Sequence, residues 1–481
     1  MSPAGPTEDA AIAGLAPPES FLEMADALEA RGYQAWAVGG AIRDHLLGHR
    51  RGDWDLATDA HPQEVQHLFR RTVPLGIEHG TVGVLADDGT MYEVTTFRRD
   101  VETDGRHAVV DFAETIEEDL ARRDFTINAI AWQPRTNEIR DPSGGRADLA
   151  AGILRAVGEP SERFAEDYLR VLRGLRFAGR YDLLIDPPTR EALDEAVPGL
   201  SRLSAERVRE ELEKIMAAPA PSTALRLYRD TRALAIWYPE LDAAADTPAW
   251  DAALGAIDAL REIRPLLRVA RLLLVVPGAG EEPDAGEEPI TQLLERLKFS
   301  GAATRRILEL RRHYLPFVNP LDSAAQLREW LSEVGPGGER DLFRLHFAAA
   351  RGAARAAGSA GSAGEASSGK ATLRDDAGEP DDVVEPDDAG EPDEAARGLV
   401  YVWRRVHDER LSGVPIDRSD LAVDGNDMLA LGVEPGPFIG LLLDELHAIV
   451  LEDPDLNERE SLLDRARELI ELAGMAGADA E

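Results

Sequence analysis

Asp53 and Asp55 flank Trp54 in the run DWDLAT, and this pair is the clearest chemical signal in the chain. In an extended segment, side chains at i and i+2 face the same way, so both carboxylates project together. Two like charges that close repel unless a cation lies between them. The chain contains no cysteine, so an all-oxygen Mg²⁺ site is the natural candidate. Just upstream, Ala35 to Val38 reads as the end of a short strand, and Gly39-Gly40 break it. Glycine turns sharply and leaves backbone N–H groups bare. Ala41 to Leu47, with Arg43 and Asp44, then carries helical spacing, and Gly48 ends it. A strand, a bare turn and a helix start in sequence make a place for phosphates.

Three further groups extend this set. Glu93 lies between Tyr92 and Val94 in a second extended run, where a third carboxylate could complete the metal site. Arg122, Arg123 and Asp124 precede an apolar, helix-like run to Trp132 and are candidates for holding ribose or phosphate. In RFAEDYLRVLRGLRFAGR, spanning Arg163 to Arg180, Asp167, Arg170, Arg173 and Arg176 fall three residues apart. On one helix they would form a slowly drifting charged stripe. An ion-pair ladder is one reading of that stripe. The other is chemical: an aspartate accepts from an exocyclic amino group and an arginine donates to ring acceptors. Asp167 with Arg170 could thus hold the Watson–Crick edge of cytosine or adenine.

The elements that must position these groups can be read in outline. Ser20 to Arg31 has helical spacing through Phe21, Met24 and Leu28. His61-Pro62 opens another helix. Thr81 to Ala86 and Met91 to Thr96 read as two strands joined by the turn Asp87-Asp88-Gly89. Arg98 to His107 is polar and reads as a mobile loop. Leu203 to Met216 is an amphipathic helix with Ser204 as its N-cap. From about 221 to 350 helix follows helix, with Arg305-Arg306 and Arg311-Arg312 as a modest basic patch. Residues 353–398 are Ala/Gly/Ser-rich and then repeat DDAGEPD, a composition that builds no core. Helical spacing resumes from Tyr401 to His407, from Phe438 to Leu451 and from Asn457 to Leu472.

Composition bounds the partners. At 481 residues the length suggests several domains and an ample core. The net charge of −37 argues against nucleic acid, but only three lysines, Lys214, Lys298 and Lys370, stand among 53 basic residues. Acidic excess with little lysine suits a salt-rich solvent, so local arginine clusters carry the information about partners. No apolar run reaches membrane-spanning length, and the N-terminus lacks a basic-then-apolar signal. A cytoplasmic protein without disulfides is expected.

Taken together the motifs resemble the class II tRNA nucleotidyltransferases, the bacterial CCA-adding enzymes and their poly(A) polymerase relatives. The matching runs are VGGAIRD, LLG, DWDLAT, RRDFTINA, DPSGG, EDYLRVLRGLRF and SAERVREEL, all between residues 20 and 220. DLAVDGNDMLALGVEPGPFIG and NERESLL resemble the tail of members without an HD phosphohydrolase domain; His407-Asp408 lacks the surrounding histidines. The resemblance implies an α+β fold, a nucleotidyltransferase head with a small mixed sheet followed by an all-helical neck, body and tail. On the sequence, a disordered N-terminus over 1–17 precedes a head over 18–150, a neck over 151–220 and a body over 221–352. A disordered acidic insertion over 353–398 and a tail over 399–481 complete the chain.

By that resemblance Asp53 and Asp55 bind Mg²⁺ with Glu93 beside them as a catalytic carboxylate. Gly39, Gly40 and Arg43 hold nucleotide phosphates. Arg123, Asp124 and Asn128 touch triphosphate and ribose. Asp167 and Arg170 read the base, with Arg173 and Arg176 supporting them. The implied reaction adds CCA to tRNA 3′ ends from CTP and ATP with loss of pyrophosphate, the body and tail holding the acceptor arm. The loop at Arg98–His107 departs from the family pattern: Glu102 or Thr103 stands where a tyrosine is usual, and Ala108 where a proline is usual. A poly(A) polymerase, a CC-adding enzyme and an RNA-binding module without catalysis therefore remain alternative readings. Oligomeric state is not legible.

Overall fold

The computed structural model describes residues 15–49, 53–77, 80–103, 108–260, 263–276, 287–314, 323–361 and 394–478. The chain divides into two compact units, Met1–Ala245 with Arg296–Lys298, and Asp246–Glu295 with Phe299–Glu481. The first unit therefore runs past residue 220, the end expected for a neck.

The first unit is built on a seven-stranded mixed sheet. Its strands are β1 (Ala35–Val38), β2 (Asp55–Thr58), β3 (Thr72–Pro74), β4 (Thr81–Leu85), β5 (Met91–Thr96), β8 (Ala131–Gln133) and β9 (Glu138–Arg140), in the order β3-β4-β5-β2-β1-β8-β9. Only β2 and β5 pair in parallel; the remaining neighbours are antiparallel. The strand β1, AWAV, is buried along its whole length, as its unbroken apolar run requires. Trp36, Val38, Ala57, Phe97, Ile116, Leu120, Ala131 and Val157 form a core beneath this sheet. The Asp87-Asp88-Gly89 turn links β4 and β5, with Gly89 at φ +86°.

The helices of this unit are α1 (Glu19–Glu29), α2 (Gly40–Leu46), α3 (Pro62–Leu68), α4 (Ile116–Ala121) and α5 (Gly145–Ala151), followed by α6 (Pro160–Glu166), α7 (Leu169–Tyr181), α8 (Pro187–Ala196), α9 (Ala205–Met216) and α10 (Pro221–Asp230), which pack on one another. In α1 the buried residues are Ser20, Phe21, Met24, Ala25 and Leu28, the stripe that its spacing predicts. A two-residue parallel pair, Ile153–Leu154 with Leu184–Ile185, brings the chain before α6 against the chain after α7.

Three expectations are corrected here. Within the expected loop Arg98–His107, Arg98–Thr103 is a strand, β6, which pairs with β7 (Ala108–Phe112) as a two-stranded ribbon with a register shift between Asp100 and Glu102; residues 104–107 lie outside the described residues. The run after Asp124 is not a helix: Thr126–Asn128 is one 3-10 turn, and Ala131–Gln133 is the sheet strand β8. Arg163 to Arg180 is not one helix either, because it breaks at Asp167, whose φ of −154° is extended.

The second unit is helical throughout its described residues. Its helices include Pro248–Ala259, Pro265–Leu273, Gly301–Tyr314, Ala324–Val334, Gly338–Gly361, Glu394–Leu411, Pro437–Glu452 and Arg459–Ala478. Val423, Met428, Leu442, Leu446, Val450, Leu462 and Ala466 close its C-terminal core. Within the expected disordered insertion over 353–398, residues 353–361 and 394–398 are helical, since helix runs to Gly361 and returns at Glu394. Residues 362–393 lie outside the described residues, as do 1–14 of the expected disordered N-terminus. No helix among the described residues is long and apolar enough to cross a membrane.

Candidate active site

Strand register assembles the carboxylates. Leu56 pairs with Val94 across the parallel β2–β5 ladder, which sets Asp55 beside Glu93. Parallel partners point to the same face, so these two carboxylates project together, with Asp53 two residues before Asp55. The antiparallel β1–β2 ladder pairs Val38 with Asp55, so the Gly39-Gly40 turn leaves β1 beside the first carboxylate of β2. Gly39 takes φ +74°, ψ −128°, a conformation that side-chain-bearing residues avoid. A Cβ there would lie 3.2 Å from Arg123 Nη1 and 3.9 Å from Asp55 Oδ2. Thus Arg123 and Asp55 both stand against the Cβ side of Gly39.

The electrostatics match this geometry. Burial first, and then the charge of Glu93, push the Asp55 carboxyl up to about 7; Arg123 opposes the shift and Asp53 adds to it. Such a set of oxygens fits a hard divalent cation, which would relieve the repulsion. Among the described residues no three acidic or histidine side chains are gathered into a ready-made metal cage. The expected third carboxylate, Glu93, therefore does not join Asp53 and Asp55 in such a cage.

Arg123 is itself anchored. Asp119, buried in α4, accepts from Arg123 at 3.0 Å and from Arg122 at 2.8 Å. Burial raises the Asp119 carboxyl, but the two guanidiniums outweigh it and the group lies below its usual range. The i, i+3 and i, i+4 spacing of Asp119 to both arginines is a sequence signal that could have found this carboxylate.

Arg43 lies behind the turn. Only 7% of it is exposed, and its Nη2 is 3.5 Å from where a Cβ on Gly40 would stand. Its Nε donates to Asp44 Oδ1 at 2.9 Å and its Nη1 to Asn128 Oδ1 at 2.6 Å. Asn128 in turn donates to Asp124 Oδ1 at 3.0 Å, and Arg173 Nε donates to Asp124 Oδ2 at 2.7 Å. Asp124 is buried, which raises its carboxyl, yet Arg173, Asn128 and the Phe125 N–H hold it down to about 2. Arg43, Asn128, Asp124 and Arg173 are therefore one continuous chain of hydrogen bonds, buried at Arg43, Asn128 and Asp124. Gly145 of DPSGG lets α5 approach the turn that carries Asn128: a Cβ there would meet Thr126 O at 2.0 Å.

The expected stripe on Arg163 to Arg180 comes apart into separate partnerships. The Asp167 side chain accepts from its own Leu169 N–H at 3.0 Å and from both Nη atoms of Arg207, at 3.1 and 2.6 Å. Arg170 pairs with Glu166 and donates to the carbonyls of Arg163 and Arg122 at 2.9 and 3.0 Å. Asp167 and Arg170 so sit together at the N-terminal end of α7, each held by another residue. Arg176 is buried and joins Glu211 of α9 at 2.6 Å, away from solvent. Arg207, Glu166, Glu211 and Tyr181 were not singled out in the sequence. The pairing of Arg207 with Asp167 spans 40 residues and leaves no local spacing to detect.

Known proteins match part of the chain. Residues 35–155 match the model described as "Poly A polymerase head domain", and residues 182–245 match "Probable RNA and SrmB- binding site of polymerase A". The CCA-adding enzyme of Anoxybacillus flavithermus is 44% identical over 222 residues, 46% of this chain and 55% of that protein. That of Streptococcus mutans is 48% identical over 207 residues, 42% of this chain and 51% of that protein. The chain spans about half the length of these curated relatives. The crystal structure of Bacillus stearothermophilus CCA-adding enzyme in complex with CTP superposes with a TM-score of 0.69 at 27% identity, over 96% of this chain and 100% of that one. A Thermotoga maritima CCA-adding enzyme complexed with tRNA shares the fold, with a TM-score of 0.56 at 18% identity over 96% of this chain and 98% of that one. With its sheet order and its carboxylate register, residues 35–155 match a poly(A) polymerase head domain, and the chain shares its fold with CCA-adding enzymes.

Proposed function

We propose that this chain adds C, C and A to the 3′ end of tRNA, using CTP and ATP and releasing pyrophosphate. The observation that carries this reading is the register of β2 against β5, which sets Asp55 beside Glu93 next to the Gly39-Gly40 turn and Arg123. It is supported by the likeness of nearly the whole chain to a CCA-adding enzyme complexed with CTP.

Asp53 and Asp55 would hold Mg²⁺. When bound, that ion supplies charge neutralisation for the triphosphate and the attacking oxygen. Glu93 adds negative potential beside Asp55. The glycine turn offers backbone N–H groups to phosphate oxygens, and Arg123, on the same side of Gly39 as Asp55, neutralises them. Arg43, Asn128, Asp124 and Arg173 support this turn from behind rather than facing the nucleotide directly. The tRNA 3′-hydroxyl oxygen attacks the α-phosphorus in line, a new P–O bond forms, and pyrophosphate leaves.

Asp167 and Arg170 read the base. Cytosine and adenine each present an amino group to the Asp167 carboxylate and a ring acceptor to Arg170, whereas uracil sets a carbonyl against Asp167. Arg207 fixes the carboxylate in place. Sites that hydrogen-bond the right substrate reject the wrong one by up to about 10⁴-fold, because buried polar groups are left unpaired. The helical parts of the chain that follow would hold the acceptor arm by shape and backbone.

The test is incubation with tRNA lacking its 3′ CCA, Mg²⁺ and each NTP singly and in pairs. CTP alone should extend the tRNA by two residues, and ATP should add one residue only afterwards. A long adenosine tail would make the chain a poly(A) polymerase, and a product stopping at CC would make it a CC-adding enzyme.

A further inference from the structure

Two rings near the end of α7 do something the reaction described above does not use. Phe177 and Tyr181, one helical turn apart, stack with centroids 6.2 Å apart and planes 21° apart. The guanidinium of Arg43 lies over both, 5.0 Å from the Phe177 centroid and 4.6 Å from that of Tyr181. Tyr181 also donates its hydroxyl proton to Asp44 Oδ1 at 2.8 Å, the oxygen that accepts from Arg43 Nε. Phe177 is further approached by Arg173 at 5.2 Å and Arg176 at 4.3 Å. One side chain, Tyr181, therefore fixes the plane of Arg43 with its ring and fixes the carboxylate paired to it with its hydroxyl.

We propose that Tyr181 is a positioning residue for triphosphate binding: it presses Arg43 against the underside of the Gly39-Gly40 turn. This rests on the nucleotidyl-transfer reading above. The helix α7 then serves two ends of one nucleotide. Asp167 and Arg170 flank its N-terminal end and address the base, while Tyr181 at its C-terminal end supports the phosphate turn. In a protein interior a guanidinium over an aromatic face is held by the ring quadrupole as well as by its anion. Without the ring, Arg43 keeps Asp44 and Asn128 but loses the surface that sets its height beneath Gly40. The turn then loosens, and the phosphates, not the base, lose affinity.

The experiment compares the full chain carrying Tyr181→Met, which keeps bulk without a ring, with Tyr181→Phe and the unsubstituted chain. Steady-state transfer to tRNA gives KM and kcat for CTP and ATP, and calorimetry at low temperature gives the affinities of CTP and of cytidine. Tyr181→Met should raise KM for both nucleotides by about tenfold or somewhat more, the size of one desolvated cation–π contact. Its kcat should stay within about twofold, as loss of uniform binding requires. CTP affinity should fall in parallel while cytidine affinity and the preference for CTP over UTP stay put, and Tyr181→Phe should restore most of the loss. An unchanged KM in Tyr181→Met, a fall in kcat alone, a parallel loss of cytidine affinity, or no rescue by phenylalanine would each overturn the proposal. If Tyr181→Met folds too poorly for turnover, the CTP-to-cytidine affinity ratio of Tyr181→Leu decides between the same outcomes. Absence of transfer by the unsubstituted chain would instead count against the function itself.

Discussion

Replacing Arg176 by methionine tests whether that arginine is part of the nucleotide site or of the scaffold. Its partner Glu211 is fully buried, at 0% exposure, and the two meet at 2.6 Å. Burial raises the Glu211 carboxyl, but Arg176 and then Lys214 outweigh it, so the group is ionised in the fold. Removing Arg176 leaves that charge with Lys214, 3.1 Å away on a half-exposed side chain, and with the weaker field of Arg173. Breaking one side of a buried ion pair is destabilising by about 3–5 kcal/mol, and the remaining lysine argues for the lower end, about 3 kcal/mol. For a unit of this size each kcal/mol moves the melting temperature by about 2–4 °C, so a fall of roughly 6–12 °C is expected. Because an apolar replacement of the whole pair is often neutral, Arg176→Met with Glu211→Leu should recover most of that loss. The assay is thermal unfolding of the three variants, with single-nucleotide incorporation for all four NTPs at a temperature where each is folded. The nucleotide preference should not move. A loss under about 1 kcal/mol with relaxed exclusion of UTP would refute this reasoning and return Arg176 to the base-reading group.

Asp167→Ala should lower use of CTP and ATP and relax the exclusion of UTP and GTP, since a charged hydrogen bond is worth roughly 1.5–3 kcal/mol. Arg207→Ala should do the same more weakly, by freeing the carboxylate, and unchanged incorporation in both variants would remove Asp167 from base reading. Gly145→Ala drives a methyl into the Thr126 carbonyl and should destabilise by about 1–3 kcal/mol or more, read as a drop in urea midpoint; a wild-type midpoint would contradict the close approach of α5. In the second unit, burial pushes His346 down to about 4 from 6.5, with Arg271 adding to the shift and the hydrogen bond to the Tyr314 carbonyl opposing it. The folded state then refuses a proton that the unfolded state takes, so stability is full above pH 6.5 and falls as pH drops toward 4, by up to about 3 kcal/mol. His346→Leu should flatten that slope in unfolding free energy between those pH values; an unaltered slope would show that another group is responsible.

How much of this was legible beforehand depended on the range of each interaction. Asp53 and Asp55 were legible because a period of two is a local property of an extended chain. Glu93 needed the β2–β5 register, which no local pattern dictates, although its strand and turn were plain. The stretch from Arg163 to Arg180 misled because it has no Gly or Pro at the break. The breaker is Asp167 itself, whose side chain accepts from the N–H two residues on and competes with the helix for it. The run through Phe125, Ile127 and Ala131 was mistaken for a helix because a fully buried strand and turn show no alternation to mark them. Strands as short as β3 and β9 fall below the length at which periodicity can speak.

The account stands or falls on whether the Asp53–Asp55 pair drives template-free completion of a tRNA end. The direct measurement is to incubate the chain with tRNA trimmed of its last three nucleotides, CTP, ATP and Mg²⁺, and to sequence the 3′ ends formed. Asp53→Asn and Asp55→Asn serve as controls, with tRNA binding checked in parallel. The prediction is CCA on the trimmed tRNA with the unsubstituted chain, and no extension with either variant although tRNA still binds. Extension by either variant at a rate near that of the unsubstituted chain would contradict the two-carboxylate site, and no extension by any of the three would contradict the function.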